Sequence, residues 1–546
     1  MPAPRFSVLT PIYDTPPEIF AAMLRSVERQ SCGSWELCLV DDASPSPHVG
    51  EMLAAAAARD PRIRVTRRTE NGGIVAASND ALAMAEGEFV ALLDHDDALH
   101  PDALALVAEA IEAAAEVDYV YTDEDKIDAA GRHQGPFFKP DWSPERMRTQ
   151  MYTCHLSVMR RALVEEVGGF DPEFEGSQDW DLVLRVTERA RRVVHVPRVL
   201  YHWRTLETST AGGGEAAKPW AFEAGTRAIQ AHCERTGVPA VAERDTEHPG
   251  VYRLRPRLTD EPTVSIVIPT AGTVREIRYE PRVLVEHCVA SILATSTYEN
   301  YEIVVVADTT VGADVRRRLT ELGGSRLKLV DFDEPFNFSK KINRGAVHGE
   351  GEMLLLLNDD MEVVTPDWLE RLVMYAGLPG VGAVGGRLIW EDGRLQHVGI
   401  AFENVGYPGH IYRGFANDWH GYSNSVLVAQ NYLAVTGACL MTPREDFERV
   451  GGLSTAFPVN YNDMDYCLKL VAEGRRIVYD PDTVLYHFES SSRPTEVEDW
   501  EKEQLRGRWL ALSAVDPYSN PHLKYGIPRL SSPFAWVRRR PRLRIR

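Results

Sequence analysis

Asp94, Asp96 and Asp97 fall together in LLDHDD, directly after an apolar run. Carboxylates crowded at one place repel one another, so they need a cation or a ligand to offset that cost. Mg²⁺ and Mn²⁺ are hard cations that take oxygen ligands and commonly bridge a protein carboxylate to substrate phosphates. A lone cluster of this kind is more often a solvated acidic turn, and its context must decide. A second pair, Asp41-Asp42, ends WELCLVDD. Its oxygens either accept from a base N–H or a ribose hydroxyl, or simply shape the turn-rich DDASPSP. Asn71-Gly72-Gly73 follows, where glycine lets the backbone approach a ligand closely or merely starts a helix. Asp179 opens the helical run DLVLRVTERA, and Asp463 precedes a similar one. An acid so placed is a helix cap or, beside a metal–nucleotide site, a general base. His202 and His487, each in VLYH, offer a metal ligand, a diphosphate contact or a satisfied core imidazole. Arg204 and Lys218 flank Gly212-Gly213-Gly214, a composition suited to a lid over a diphosphate. YTDEDKID reads as an exposed turn, with Asp123 the candidate for an acceptor-side role.

These residues need elements to position them, and the chain alternates strand and helix. FSVLTPI, WELCLVDD, IRVTRR and FVALLD are strand-length; PEIFAAMLRSVERQ, HVGEMLAAAAARD and IVAASNDALAMA between them have helical composition. Such alternation predicts an α/β fold with a mostly parallel sheet covered on both faces. Ligands then bind outside the carboxyl ends of the strands, where Asp42 and Asp94 to Asp97 stand. The pattern also occurs twice. SVLTPIYD is answered by SIVIPTAG, GEFVALLDHDD by GEMLLLLNDD, VGGFDPEFEGSQDWDLVLRV by VGGLSTAFPVNYNDMDYCLKL, and VLYHW by VLYHF, in the same order. The chain therefore reads as a duplication: a domain over 1–242, a linker over 243–262, a second domain over 263–521 and a basic tail over 522–546.

Composition narrows the function classes. A length of 546 residues suits two domains, and a net charge of -20 argues against general nucleic-acid binding. Seven cysteines, an odd number without a CxxC, fit a reducing compartment better than a disulfide or structural zinc framework. The N-terminus lacks signal-peptide character and no apolar run approaches a membrane span, so a cytoplasmic protein is expected. Arg538, Arg539, Arg540, Arg542, Arg544 and Arg546, beside Phe534 and Trp536, read as a solvated tail or as a peripheral hook on anionic membrane. GVGAVG from Gly380 matches GxGxxG but precedes a strand, so no dinucleotide site is expected there, and no GxxxxGK[ST] occurs.

Together, TPIYD, VDDAS, ENGGIVAASN, ALLDHDD, YTDEDKID, FFKPDWSP, FEGSQDWDL and LYHWR resemble the inverting family-2 glycosyltransferases of GT-A fold. The tandem arrangement resembles bacterial members linked to O-antigen and rhamnose-rich polysaccharide assembly. The resemblance implies a UDP-, dTDP- or GDP-sugar donor, a glycan or lipid-linked glycan acceptor, and two Rossmann-like domains with mostly parallel sheets. It places Asp42 on the base or ribose, Asp96 on the metal with Asp94 and Asp97 assisting, and Asp179 as the catalytic base. His202 joins the implied metal set. Pro11, Tyr13, Asn71, Gly73, Asn79 and Arg204 complete the implied donor contacts. In the second half it implies Asp463 as base, Asp360 and His487 at the metal, and Pro269, Asp308, Asn343 and Asn358 toward the donor. There the text departs: Ala307-Asp308 stands for the usual acids of the second strand, and Asn358-Asp359-Asp360 for Asp-x-Asp. Two transfer sites are expected; the alternatives are a second domain that only binds glycan or donor, and a nucleotidyltransferase. TPIYDTPPE lacks the Gly-rich basic segment of the last.

Overall fold

The computed structural model describes residues 3–128, 130–205, 219–403, 406–489 and 497–528. The glycine run, Lys218 and the terminal arginines lie outside the described residues.

The first sheet is centred on Phe6–Ile12, which pairs in parallel with Trp35–Asp41 on one side and Phe89–Leu92 on the other. Ile63–Arg67 continues the parallel run beyond Trp35–Asp41. Phe6–Ile12 and Trp35–Asp41 are almost wholly buried because helices cover both faces, which explains their continuous apolar text. Helix Pro17–Glu28 starts on a proline, whose missing N–H costs nothing at a first turn. Helix Gly73–Met84 packs on the two central strands. Beyond Phe89–Leu92, Ser157–Arg160 runs antiparallel and hands the sheet on to Tyr119–Ile127. Val193–Arg204 lies parallel to that strand, and Ala98–Leu99 closes the edge.

The second sheet repeats this order element for element, with Val264–Thr270 at its centre between Tyr301–Asp308 and Met353–Leu357. The expected α/β architecture with mostly parallel central sheets is therefore present twice. The segment GVGAVG enters the strand Val381–Ile389, in line with rejecting it as a dinucleotide loop. YTDEDKID is not an exposed turn: it lies in the strand Tyr119–Ile127, buried along nearly its whole length. The expected linker holds part of a hairpin, Ala240–Arg244 with Tyr252–Pro256. Tyr252 packs edge-on to Trp180 at 4.9 Å.

The two halves meet through buried polar contacts. Ser143 donates to Asn431 Oδ1 at 2.8 Å, and Arg476 reaches Glu145 at 3.0 Å. Asn520 Nδ2 donates to both oxygens of Asp123, at 3.2 and 3.0 Å. Asp123 also accepts from the Lys139 N–H and faces His195 Nε2. It is thus an anchor between the halves, fully buried, and not an acceptor-side acid. No described helix is long and apolar enough to cross a membrane.

Candidate active site

The carboxyl ends of the first domain's central strands open into a cavity of about 930 Å³. Pro11 and Tyr13 line it from the first strand, Asp42 from the second and Asp94 to Asp96 from the fourth. Asp179 closes it from the first turn of helix Gln178–Thr187. This is the switch point of the sheet, where strand order reverses about Phe6–Ile12, the usual ligand position in open α/β sheets.

Asp42 shapes the wall by accepting the Gly72 and Gly73 N–H groups, one on each oxygen, at 2.9 Å. Arg68 Nε lies 3.0 Å from the same carboxylate. Gly73 has φ +83°, and a Cβ there would meet Glu175 Oε1 at 2.6 Å, so this turn requires glycine. Asn71 lines the cavity beside it.

Burial raises the Asp94 carboxyl, and the neighbouring Asp96 raises it further. Two carboxylates sharing one wall need positive charge between them, and their oxygen donors suit Mg²⁺ or Mn²⁺. Asp97 does not share in this. Its Oδ2 accepts from Tyr201 at 2.6 Å and its Oδ1 from the Arg204 N–H at 2.7 Å, and it is fully buried. Burial, with Asp94 and Asp96 nearby, holds its carboxyl well above the usual range. Arg204 likewise supports the acids instead of facing a donor: its Nε donates to the Asp96 carbonyl at 2.7 Å.

Asp179 is raised by burial, with the His155 charge opposing the shift. Burial alone would lower His155, but Glu124 at 3.0 Å holds it up to about 9. The imidazolium stacks on Tyr201, at 5.3 Å between rings, and faces the cavity beside Asp94 and Asp179. His155 was missed in the sequence because the repeat places Ala438 at its position, so no recurrence marks it.

His202 is not part of this wall. It stands opposite Ala98, whereas His487 stands opposite Met361. The shared Gly-Glu text equates Met361 with Asp97, so the first domain is slipped by one residue. A one-residue slip turns a strand side chain to the other face. His202 therefore meets Asp125 at 2.6 Å, while Trp203 lines the cavity. Asn79 is also placed elsewhere. Its Nδ2 donates to the Phe170 carbonyl at 2.8 Å and its Oδ1 accepts the Phe170 N–H at 2.9 Å. Asn343 clamps Leu453 in the same two ways, at 2.8 and 2.9 Å.

In the second domain Asp360 Oδ1 lies 3.1 Å from His487 Nε2, with Asn358 Nδ2 3.4 Å from the same nitrogen. Asp463 again opens a helix, Asn462–Ala472; its oxygens accept the Gly437 and Met464 N–H groups at 2.9 and 2.8 Å, and burial raises it. Pro269 precedes Thr270, the last residue of the central strand, whose hydroxyl donates to Asp359 at 2.6 Å. Asp308, the counterpart of Asp42, is held instead by Lys341 Nζ at 2.7 Å. Lys341 occupies the helix position of Ala77, which lines the first cavity.

The profile of Glycosyl transferase family 2 matches residues 7–168, and that of Glycosyltransferase like family 2 matches residues 262–511. The chain is 40% identical over 532 residues to the uncharacterized protein y4gI of Sinorhizobium fredii, covering 95% of this chain and 58% of that one. It is 37% identical over 528 residues to the O-antigen biosynthesis protein RfbC of Myxococcus xanthus, covering 95% of this chain and 40% of that one. The chain thus spans about half the length of these two relatives. A PGL/p-HBAD biosynthesis glycosyltransferase of Mycobacterium bovis is 30% identical over 187 residues, 34% of this chain and 70% of its own length. The chain belongs to glycosyltransferase family 2 and carries two domains of that family in tandem.

Proposed function

We propose that the first domain transfers a hexose or deoxyhexose such as rhamnose, with inversion, from a UDP-, dTDP- or GDP-sugar to a glycan or lipid-linked glycan of a surface polysaccharide. The observation that carries this reading is the convergence of Asp42, Asp94, Asp96 and Asp179 on one cavity. The O-antigen biosynthesis role named for the Myxococcus relative supports a polysaccharide acceptor.

In this reading Pro11, Tyr13 and the Asp42–Asn71–Gly73 wall hold the nucleoside, and the diphosphate points toward Asp94 and Asp96. Asp96, with Asp94, would hold Mg²⁺ or Mn²⁺, which supplies Lewis-acid stabilisation of the departing diphosphate. Asp179 accepts the proton of the acceptor hydroxyl as its oxygen bonds to the anomeric carbon. The bond from that carbon to the diphosphate breaks, and the nucleoside diphosphate leaves with the electron pair. The transition state is oxocarbenium-like, as in glycoside chemistry generally. The positive charge of His155 offsets the crowded acids and holds Asp94 and Asp179 toward their ionised forms.

We assign the second domain to glycan binding, without a nucleoside pocket like the first. Lys341 paired with Asp308 favours this, since it takes the place of a cavity-lining alanine. Asp360, His487 and Asp463 support the rival reading of a second transfer site. The arginine-rich end is proposed to touch anionic membrane near a lipid-linked acceptor. Loss of liposome binding on truncation after Pro533, mimicked by salt, would support that contact.

Asp96→Ala tests the central proposal. Transfer from a nucleotide-sugar panel in Mg²⁺ or Mn²⁺ should cease, and EDTA should stop the wild type. Wild-type rates in the variant, or indifference to EDTA, would sink it.

A further inference from the structure

Asp125, His133 and His202 come from three adjacent strands and meet on the sheet face opposite the cavity. Asp125 pairs directly with His202 across Tyr119–Ile127 and Val193–Arg204. His133 pairs with Ile127, two residues from Asp125 and so on the same face. His202 Nδ1 lies 2.6 Å from Asp125 Oδ1 and His133 Nδ1 lies 2.9 Å from Asp125 Oδ2. The two rings stand edge to face at 4.6 Å. The three ligand atoms lie within 4.8 Å of one another. Asp125 is fully buried and His202 is 7% exposed, while the His133 side chain, 28% exposed, gives an approach from solvent.

We infer that Asp125, His133 and His202 form a binding site for a borderline transition-metal cation, Zn²⁺ being the best match, separate from the carboxylate site of the cavity. Two imidazole nitrogens and one carboxylate oxygen are a ligand set for zinc and a poor one for Mg²⁺, which prefers oxygen and retains water. Zinc bonds of about 2.0–2.2 Å place tetrahedral ligands roughly 3.3 Å apart, so the two short Nδ1–carboxylate contacts need open by less than about 1 Å. The cation replaces the protons now shared between ring and carboxylate. Three protein ligands leave a fourth position for water.

The position gives the ion something to do. Asp125 and His202 belong to long paired strands, but His133 sits on a short hairpin strand, His133–Phe137. A cation would clip this hairpin to the strand that carries Arg204. Arg204 in turn fixes the Asp96 carbonyl and Asp97. Metal on one face of the sheet would thereby steady the turn that bears the donor-side acids on the other. A rival cluster, Glu124, Cys154 and His155, lies on the cavity face. There Glu124 is already committed to Lys139 at 3.1 Å and to His155.

The test uses the full chain, stripped with chelator and dialysed into excess Mg²⁺, then titrated with Zn²⁺ and with Co²⁺ as a spectroscopic probe. Wild type is expected to retain one equivalent of Zn²⁺, and Co²⁺ to give visible bands of a four-coordinate nitrogen–oxygen site. His133→Ala and Asp125→Asn should lose both signals, whereas Asp96→Ala and His155→Ala should keep them. His133→Ala alters only a partly exposed hairpin side chain, and an unchanged circular dichroism spectrum will show that the fold survives. No Zn²⁺ retained by wild type, or retention that depends on His155 and not on His133, overturns the inference.

Discussion

Lys341 Nζ lies 2.7 Å from Asp308 Oδ1 and 3.0 Å from the Thr270 carbonyl, bridging the ends of the two central strands of the second domain. In the first domain the same helix position is Ala77, and the space is open. The wild-type chain should therefore bind one nucleoside diphosphate per molecule in the presence of Mn²⁺. Lys341→Ala should add a second, weaker equivalent, because Asp308 is released to accept from a ligand. Calorimetric titration reads both numbers. Two equivalents on the wild type would return the second domain to the two-site reading.

Much of this site was legible in the sequence because its signals are local. An acid after an apolar run is an acid at a strand end, and the alternation with helices says which end faces the ligand. Asp42, Asp94 and Asp96 follow from that rule, whereas Asp179 was marked by opening a helix, as Asp463 does in the second half. What the residues alone could not disclose depends on pairing. The single-residue slip that sends His202 to the back of the sheet is a bulge at Leu200, where Asp123 pairs with Val199 but Glu124 with Tyr201, while the second domain pairs Val484, Leu485 and Tyr486 one for one. The resemblance also misled, by implying Asn79 and Asn343 as donor contacts. Asn79 and Asn343 recur because each half needs the same clamp on its VGG turn, and a structural requirement is duplicated as faithfully as a functional one. His155 shows the converse: it has no counterpart, so a search by repetition passes over it.

The asparagine clamp yields its own prediction. Removing Asn79 leaves both backbone groups of Phe170 without their partner, and an unmet buried group costs about 1–3 kcal/mol. Asn79→Ala should lower the denaturation midpoint accordingly and leave the donor KM within about twofold, since a purely structural loss acts on folding. Asn343→Ala should do the same through Leu453. A tenfold rise in donor KM at unchanged stability would restore Asn79 to the donor site.

The interface between the halves should respond to acid. Burial alone would raise the Glu145 carboxyl, yet Arg476 and then Arg148 hold it below the usual glutamate range. A depressed carboxyl contributes stability above its unfolded pKa of about 4.3, and that contribution is lost as pH falls through the lower folded value. Arg476→Ala leaves the buried charge to Arg148 alone, at 3.5 Å, so the cost near neutral pH should stay below the roughly 3–5 kcal/mol of an unpaired buried charge. The gap between variant and wild type should narrow as pH falls below about 4, because Glu145 becomes neutral. Chemical denaturation across pH measures it; a gap independent of pH would mean that the ion pair is not what Arg476 contributes.

Asp179 carries the sharpest test, because cap and base predict losses of different size. As a cap its removal would cost roughly 1 kcal/mol of stability. As the base that accepts the acceptor proton, its loss should slow transfer by about 10²–10⁴-fold. Asparagine keeps the shape and can still accept the backbone hydrogen bonds of the helix start, so Asp179→Asn separates the roles. The variant should bind nucleoside diphosphate with wild-type affinity, unfold at nearly the wild-type temperature, and fail in single-turnover transfer. Asp463→Asn provides the comparison within the same chain. If the second domain only binds, mass spectrometry of a synthetic acceptor will show the full product from Asp463→Asn and none from Asp179→Asn. A product lacking one sugar from Asp463→Asn would instead make Asp463 a second base, and Lys341 a feature of a different donor rather than the absence of one.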